Sequence, residues 1–284
     1  YFTASNDLGF RVVGASSLDF LGKAVSGAGD VNGDGFADVI IGAIQADPDP
    51  VERIAAGISY IFFGHSNSTL FEDIDLHNYN FTSTTGFKIL GALADENSGS
   101  SVTGGLDLNN DGYSDVAIAA CRSGNVYVIF GHNASSLFHK IDLFDLLGDV
   151  PGGGNQSWGF CIIGAANTAI VNDWMAFSVG NAGDINADGV DDLVIGAPLS
   201  DYLDRSGAGI VYVIYGHSVK YNFTDINVSI WTSDASIGFR VVGVTTDEFL
   251  GYSVAGGMDI NIDGVDDLLV GSLNASPYNR AAAG

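Results

Sequence analysis

Four acidic loops recur in nearly constant phase along the chain, and this repetition limits what it can fold into more than any other feature. They read Asp30-Val-Asn-Gly-Asp-Gly-Phe-Ala-Asp38, Asp107-Leu-Asn-Asn-Asp-Gly-Tyr-Ser-Asp115, Asp184-Ile-Asn-Ala-Asp-Gly-Val-Asp-Asp192 and Asp259-Ile-Asn-Ile-Asp-Gly-Val-Asp-Asp267, and start 77, 77 and 75 residues apart. Two landmarks keep the same phase. A Gly-Phe pair opens an apolar run at Gly9, Gly86, Gly159 and Gly238, and aromatic runs end in Gly-His at Tyr60–His65, Tyr127–His132 and Tyr212–His217. The chain stops where a fourth aromatic run is due, so the sequence reads as part of a longer array.

Each repeat reads as four strands. The first is small and alternating, as in Lys23–Gly27, and the second is continuously apolar, as in Val39–Ile41 and Leu193–Ile195. The third is aromatic and β-branched, as in Val126–Phe130, and the fourth is the Phe10–Val13 run with its copies at Phe87, Phe160 and Phe239. Apolar runs bounded by Gly and Asp mark strands buried on both faces. No window has a capped helical period, and 39 glycines suit tight hairpins.

Four short antiparallel strands per repeat, each unit unable to bury both faces alone, predict an all-β fold: a β-propeller of four-stranded blades, part of a larger ring or array. The expected division is 1–16, an outer strand of a preceding or closing blade; 17–92, blade 1; 93–166, blade 2; 167–244, blade 3; and 245–284, a partial blade 4.

The loops have the chemistry of a hard-cation site. Oxygen side chains stand at positions 1, 3, 5 and 9, position 7 can offer its backbone carbonyl, and position 6 is always glycine, which permits the tight wrap. The candidate ligands are Asp30, Asn32, Asp34, Phe36 and Asp38; Asp107, Asn109, Asp111, Tyr113 and Asp115; Asp184, Asn186, Asp188, Val190 and Asp192; and Asp259, Asn261, Asp263, Val265 and Asp267. Oxygen-only donors argue against zinc or copper, and an irregular loop favours Ca²⁺ over Mg²⁺. About four structural Ca²⁺ ions are therefore expected. An EF-hand is excluded, because a strand follows each loop and position 12 of the first is Ile41.

These loops and their flanks resemble the FG-GAP repeats of the integrin α-subunit N-terminal β-propeller. The family's FG position falls at Leu21-Gly22, Ser98-Gly99, Met175-Ala176 and Leu250-Gly251, and its GAP position at Gly42-Ala43-Ile44, Ala119-Ala120-Cys121, Gly196-Ala197-Pro198 and Gly271-Ser272-Leu273. Only the third GAP is complete, and the Phe of FG is absent throughout. The resemblance spans essentially the whole chain and implies seven-bladed ring closure and a non-enzymatic adhesion or recognition role. Its specificity is for fold more than for function.

Asn-x-Ser/Thr sequons stand at Asn67, Asn80, Asn133, Asn155, Asn222, Asn227 and Asn274. Six fall between the third and fourth strands of a repeat, where bulky glycans are tolerated. N-linked glycans and an extracellular, secreted or cell-surface location are expected. Cys121 and Cys161 could form a disulfide or remain two buried thiols.

With 34 acidic against 10 basic residues the net charge is −24, which repels nucleic acid. No run of 18 apolar residues suggests insertion into a membrane. The expected partners are other proteins, surface glycans or copies of the chain itself. No catalytic constellation emerges: the recurring Gly-His pairs sit in different blades, and the carboxylates belong to the loops. The favoured reading is a calcium-stabilised, glycosylated recognition scaffold. The alternatives are a subunit of an extracellular filament or surface coat, and an accessory domain of a larger secreted hydrolase such as a phospholipase D-like enzyme.

Overall fold

The computed structural model describes residues 9–66, 72–133, 140–147, 158–164, 176–218, 223–231 and 235–276. Strand β1 (Val12–Val13) precedes blade 1, which runs through β2 (Leu21–Gly29), β3 (Asp38–Ala43), β4 (Ile58–Phe62), the short β5 (Ile74–Asp75) and β6 (Gly86–Leu90). Blade 2 repeats this as β7 (Ser98–Leu106), β8 (Asp115–Ala120), β9 (Asn125–Ile129), β10 (Lys140–Asp142) and β11 (Gly159–Ile163). Blade 3 follows with β12 (Ser178–Gly183), β13 (Asp192–Ala197), β14 (Ile210–Ile214), β15 (Ile226–Asn227) and β16 (Gly238–Val242), and β17 (Leu250–Met258) with β18 (Asp267–Ser272) begins blade 4.

The architecture is the expected β-propeller of antiparallel blades. The strand orders β2-β3-β4-β6, β7-β8-β9-β11 and β12-β13-β14-β16 are three copies of one meander. The innermost strands β2, β7, β12 and β17 lie side by side in succession, and the acidic loops all leave from their C-terminal ends.

Apolar side chains fill the spaces between blades. One core joins β9 and β11 of blade 2 to β13 and β14 of blade 3 through Val126, Val128, Phe160, Leu193, Ile195 and Ile214. A second joins blade 1 to blade 2 through Ile40, Ile61, Phe87, Val116, Ile118 and Tyr127. Both faces of β8, β9, β13 and β14 are buried, as continuous apolar runs require.

The FG and GAP positions meet across this seam. A Cβ on Gly42 would collide with the carbonyl of Gly99, and one on Gly196 with that of Gly251. Glycine at the GAP position thus sets how closely successive blades approach; at the seam between blades 2 and 3, the buried Ala119 and Ala176 stand at these positions.

The blades carry a strand beyond the four expected. Between its third and fourth strands each repeat sends out a short segment that pairs, in parallel, with the outermost strand of the previous repeat: β5 with β1, β10 with β6 and β15 with β11. Asp73 accepts from the Arg11 backbone N–H at 2.9 Å and pairs with its guanidinium, and Asp225 accepts from Cys161 N–H at 2.9 Å. Arg53 of blade 1 grips Asp142 of β10 through two bonds of 2.5 and 2.8 Å. In these three repeats the connection between the third and fourth strands therefore laces the blade to the strand before it. Asn227, expected in a loop, is the last residue of β15, with an exposed side chain that accepts from Ser229 N–H.

Of the two states left open for the cysteine pair, the structure has the unbonded one, with Cys161 buried and Cys121 half-buried. Cys121 and Cys161 are both free thiols. Cys161 lies in β11 opposite Tyr127 of β9, and β9 separates β11 from β8, past whose end Cys121 stands.

Candidate metal-binding loops

The four acidic loops share one internal geometry. The position-1 carboxylate accepts from the position-6 glycine N–H at 2.8 Å in every loop, through Asp30, Asp107, Asp184 and Asp259. Its other oxygen accepts from the position-5 N–H at 2.9–3.1 Å. The position-5 carboxylates of Asp34, Asp111, Asp188 and Asp263 accept from the position-7 N–H at 2.9–3.0 Å. In the first three loops the amide of Asn32, Asn109 or Asn186 bridges to position 5 at 2.9–3.1 Å.

Two residues per loop are left-handed. Position 6 has φ between +86° and +90° at Gly35, Gly112, Gly189 and Gly264, as its invariance within the chain anticipated. Position 4 is also left-handed, at Gly33, Asn110, Ala187 and Ile262. Its variable identity concealed this.

Position 9 is shared between its own loop and the end of the third strand. Asp38, Asp115 and Asp192 are at most 1% exposed. One oxygen of each accepts from the position-2 N–H at 2.8–3.0 Å, at Val31, Leu108 and Ile185. The other accepts at 2.8–2.9 Å from Gly64, Gly131 and Gly216, the glycines of the Gly-His pairs. Burial is the main cause that pushes the Asp38 carboxyl up to about 6 and that of Asp192 to about 7, and it holds Asp115 well above the usual range. In each case the carboxylates at positions 1 and 5 add to the rise, and the two N–H donors oppose it.

The Gly-His pairs thus have a structural task. A Cβ on Gly64, Gly131 or Gly216 would strike the position-8 carbonyl of the loop beside it, at Ala37, Ser114 or Asp191. The next N–H, of His132 or His217, donates to the position-2 carbonyl of the preceding blade's loop, at Val31 or Leu108.

Successive loops are also bonded to one another. The position-1 N–H of each loop donates to the position-8 side chain of the next: Asp30 to Ser114 at 3.1 Å, Asp107 to Asp191 at 2.9 Å and Asp184 to Asp266 at 2.9 Å. Sequence reading missed position 8, because no single repeat reveals a role that exists only between blades. It also missed the acid at Asp19, Glu96 and Glu248, which recurs in phase before the innermost strand. Asp19 takes the N–H of Ser16, Glu96 that of Ala92, and Glu248 those of Val244 and Thr245, so each closes the turn into its blade.

All donors in the loops are oxygens, which fits a hard cation. In this structure those oxygens close on backbone N–H groups, and among the described residues no group of three or more His, Cys, Asp or Glu side chains is arranged to hold a metal ion. Of the seven sequons, Asn80, Asn133, Asn227 and Asn274 are exposed, and Asn67, Asn155 and Asn222 lie outside the described residues. No helix among the described residues is long and apolar enough to cross a membrane.

A family model described as FG-GAP repeat matches residues 22–62, 98–129 and 176–214. The chain carries FG-GAP repeats. Each match spans the first three strands of a blade and the acidic loop between the first two. The FG-GAP region is similar to integrin alpha subunits: 31% identical over 180 residues to integrin alpha-6 of Gallus gallus, covering 60% of this chain and 13% of that protein. It is 27% identical over 270 residues to integrin alpha pat-2 of Caenorhabditis briggsae, covering 89% of this chain and 18% of the relative. Phosphatidylinositol-glycan-specific phospholipase D of Bos taurus is 37% identical over 89 residues, covering 31% of this chain and 10% of that enzyme. The chain spans less than a fifth of the length of each of these relatives.

Proposed function

We propose that the chain is a calcium-stabilised, glycosylated extracellular propeller region that serves as a non-enzymatic scaffold for adhesion or recognition, with other proteins or surface glycans as partners. The observation that carries the reading is the set of four loops with one donor pattern and one backbone course, strung along one end of an FG-GAP propeller. In each loop the side chains at positions 1, 3, 5 and 9 and the carbonyl at position 7 would hold one Ca²⁺: Asp30, Asn32, Asp34, Asp38 and Phe36 in the first, and their counterparts in the others. The ion would neutralise carboxylates that otherwise repel. Exposure of four sequon asparagines supports glycans on the outer surface, and with them a secreted or cell-surface location.

The test is thermal unfolding of the secreted full chain in millimolar Ca²⁺ and in excess chelator without magnesium, with its mass read before and after N-glycosidase. A site held at a hundred times its Kd contributes about 2.7 kcal/mol. For a chain of this size about 1 kcal/mol moves Tm by roughly 2–4 °C. Chelation is therefore expected to lower Tm by more than about 10 °C, and an unchanged melt refutes the calcium reading. A second reading, an accessory region of a larger secreted hydrolase, is favoured by the similarity to the bovine phospholipase D. A catalytic domain elsewhere in the same polypeptide would establish it.

A further inference from the structure

The chain holds one six-residue sequence twice: Gly9-Phe10-Arg11-Val12-Val13-Gly14 and Gly238-Phe239-Arg240-Val241-Val242-Gly243 are identical. The first contains β1 and the second β16, and both stand at the outer-strand position of a repeat. β1 carries the lacing strand β5. Among the described residues, no strand pairs with the outer edge of β16.

The pairing of β1 with β5 shows what this sequence recognises. Val12 stands opposite Ile74 and Val13 opposite Asp75. The N–H groups of Ile74 and Leu76 donate to the carbonyls of Arg11 and Val13 at 2.8 and 3.0 Å. Asp73 accepts from both the backbone N–H and the guanidinium of Arg11. β16 turns the same groups outward. Its ladder to β14 is flanked by bonds of Ile237 and Gly243, so by antiparallel alternation Phe239 and Val241 face β14 while Arg240 and Val242 face the open side.

Two guanidiniums flank this open edge. Arg205 and Arg240 both lie over the Tyr202 ring, each 5.2 Å from its centroid. Arg205 donates to the carbonyls of Gly243 and Val244 at 2.6 and 3.1 Å. Its counterpart in blade 1, Arg53, bonds the matching carbonyl of Gly91 at 3.0 Å and also holds Asp142 of β10, which stands opposite Leu90. Neither Arg205 nor Arg240 is within ion-pair distance of a carboxylate among the described residues.

An open edge is a template for a further strand, and here the charges select which one. It needs an acid opposite Arg240, an apolar residue opposite Val241, which is 39% exposed, and a second acid opposite Val242 for Arg205. β5 has this order in Asp73-Ile74-Asp75. A second copy cannot deliver its own β5, because the place its blade would take beside blade 3 is held by β17, packed on β12.

We infer that the outer edge of β16 binds an extended acidic segment of a partner protein, added as a parallel strand with an acid–apolar–acid core. Its first acid meets Arg240, its second meets Arg205, and its N–H groups meet the Arg240 and Val242 carbonyls. The inference rests on the recognition reading and gives it a partner class and a mode of binding.

The experiment is fluorescence-anisotropy titration of the full-length protein in Ca²⁺ with a labelled peptide of residues 72–80, which carries the Asp-Ile-Asp core. Controls are the same peptide with Asp73→Asn and Asp75→Asn, and a scrambled peptide of equal composition. Saturable binding is expected, weakened at least tenfold by R240E in the protein or by the two substitutions in the peptide, and weakened by added salt. Hydrogen exchange at the Arg240 and Val242 amides should slow when the peptide is bound. The peptide variants test the contact even where R240E fails to fold. Equal binding of the scrambled or substituted peptide, or unchanged exchange at those amides, overturns the inference. So does absence of binding, including the case in which those amides are already protected because another segment of the same polypeptide, or a second copy, covers the edge. A protein that refuses the peptide yet melts earlier in chelator keeps the scaffold reading. A melt insensitive to chelator strikes the calcium reading and leaves this site standing if the peptide binds.

Discussion

Loops 1 to 3 and loop 4 have the same sequence pattern and nearly the same backbone, yet their surroundings differ. In all four, the position-1 carboxylate holds the position-6 N–H at 2.8 Å. In the first three, the position-9 aspartate is buried and shared between its own loop and the glycine at the end of the third strand. Among the described residues, Asp267 of the fourth is half-buried and accepts from the N–H groups of Ile260 and Asn261. The wrap of the loop is thus local, written into its Asp, Asn and Gly spacing. The enclosure of its last carboxylate is tertiary, supplied by the third strand and by the neighbouring blade.

This contrast makes position 9 the place to test it. Asp115→Ala strips two buried N–H groups, of Leu108 and Gly131, of their acceptor and should cost about 3–5 kcal/mol in urea unfolding. In a chain of these 284 residues, Asp267→Ala removes the same side chain from a site without that second donor and should cost about 1 kcal/mol or less. Equal losses would break the distinction between enclosed and open loops.

Glu96 sharpens it at the opposite end of the blade. Burial pushes its carboxyl up to about 7, against the hydrogen bonds from Tyr127, Ala92, Leu93 and Ser123. A carboxyl raised above its unfolded value of 4.5 binds its proton more tightly in the folded chain. The stability it contributes is present below about pH 4.5 and is lost as pH rises through about 7, on the order of 3 kcal/mol across that window. Urea unfolding of Glu96→Gln at pH 5 and pH 8 should show a shallower fall than the wild type; an identical fall would remove Glu96 as its source.

The smallest effect belongs to Ile262, a β-branched residue in a left-handed conformation and 89% exposed. Ile262→Asn should stabilise the chain by about 0.5–1 kcal/mol, because asparagine tolerates that backbone region. Asn110 already occupies it in loop 2. A rise of a few degrees or less in Tm checks this, and a fall would mean that the Ile262 side chain is held by contacts the loop needs.

Much of the fold was legible because its signals repeat. Apolar runs between Gly and Asp placed β3, β8, β13 and β18 in phase, and the Gly-Phe pairs placed β6, β11 and β16. The lacing strands were not legible, since β5 and β15 are two residues long and β10 three, too short for any periodicity to register. Within the loops, spacing disclosed positions 1, 3, 5, 6 and 9. Position 8 works only between blades, and position 4 shows its left-handed conformation through no common residue type. The turn-closing acid could have been found by aligning Asp19, Glu96 and Glu248, which keep the phase of the loops. The free thiols followed from strand order, which composition does not carry.

The lacing strands also determine how the chain would bear a load. A blade whose outer edge is completed by its successor cannot part from that successor by a hinge movement alone. Pulling blade 2 away from blade 1 must slide β10 along β6, where the strands run parallel and their hydrogen bonds resist together, and must break the forked grip of Arg53 on Asp142. The same clasp recurs at the other two such junctions among the described residues with its own polar lock, Arg11 on Asp73 and Cys161 N–H on Asp225. The propeller is accordingly jointed like a chain of overlapping links, strong in shear along its rim.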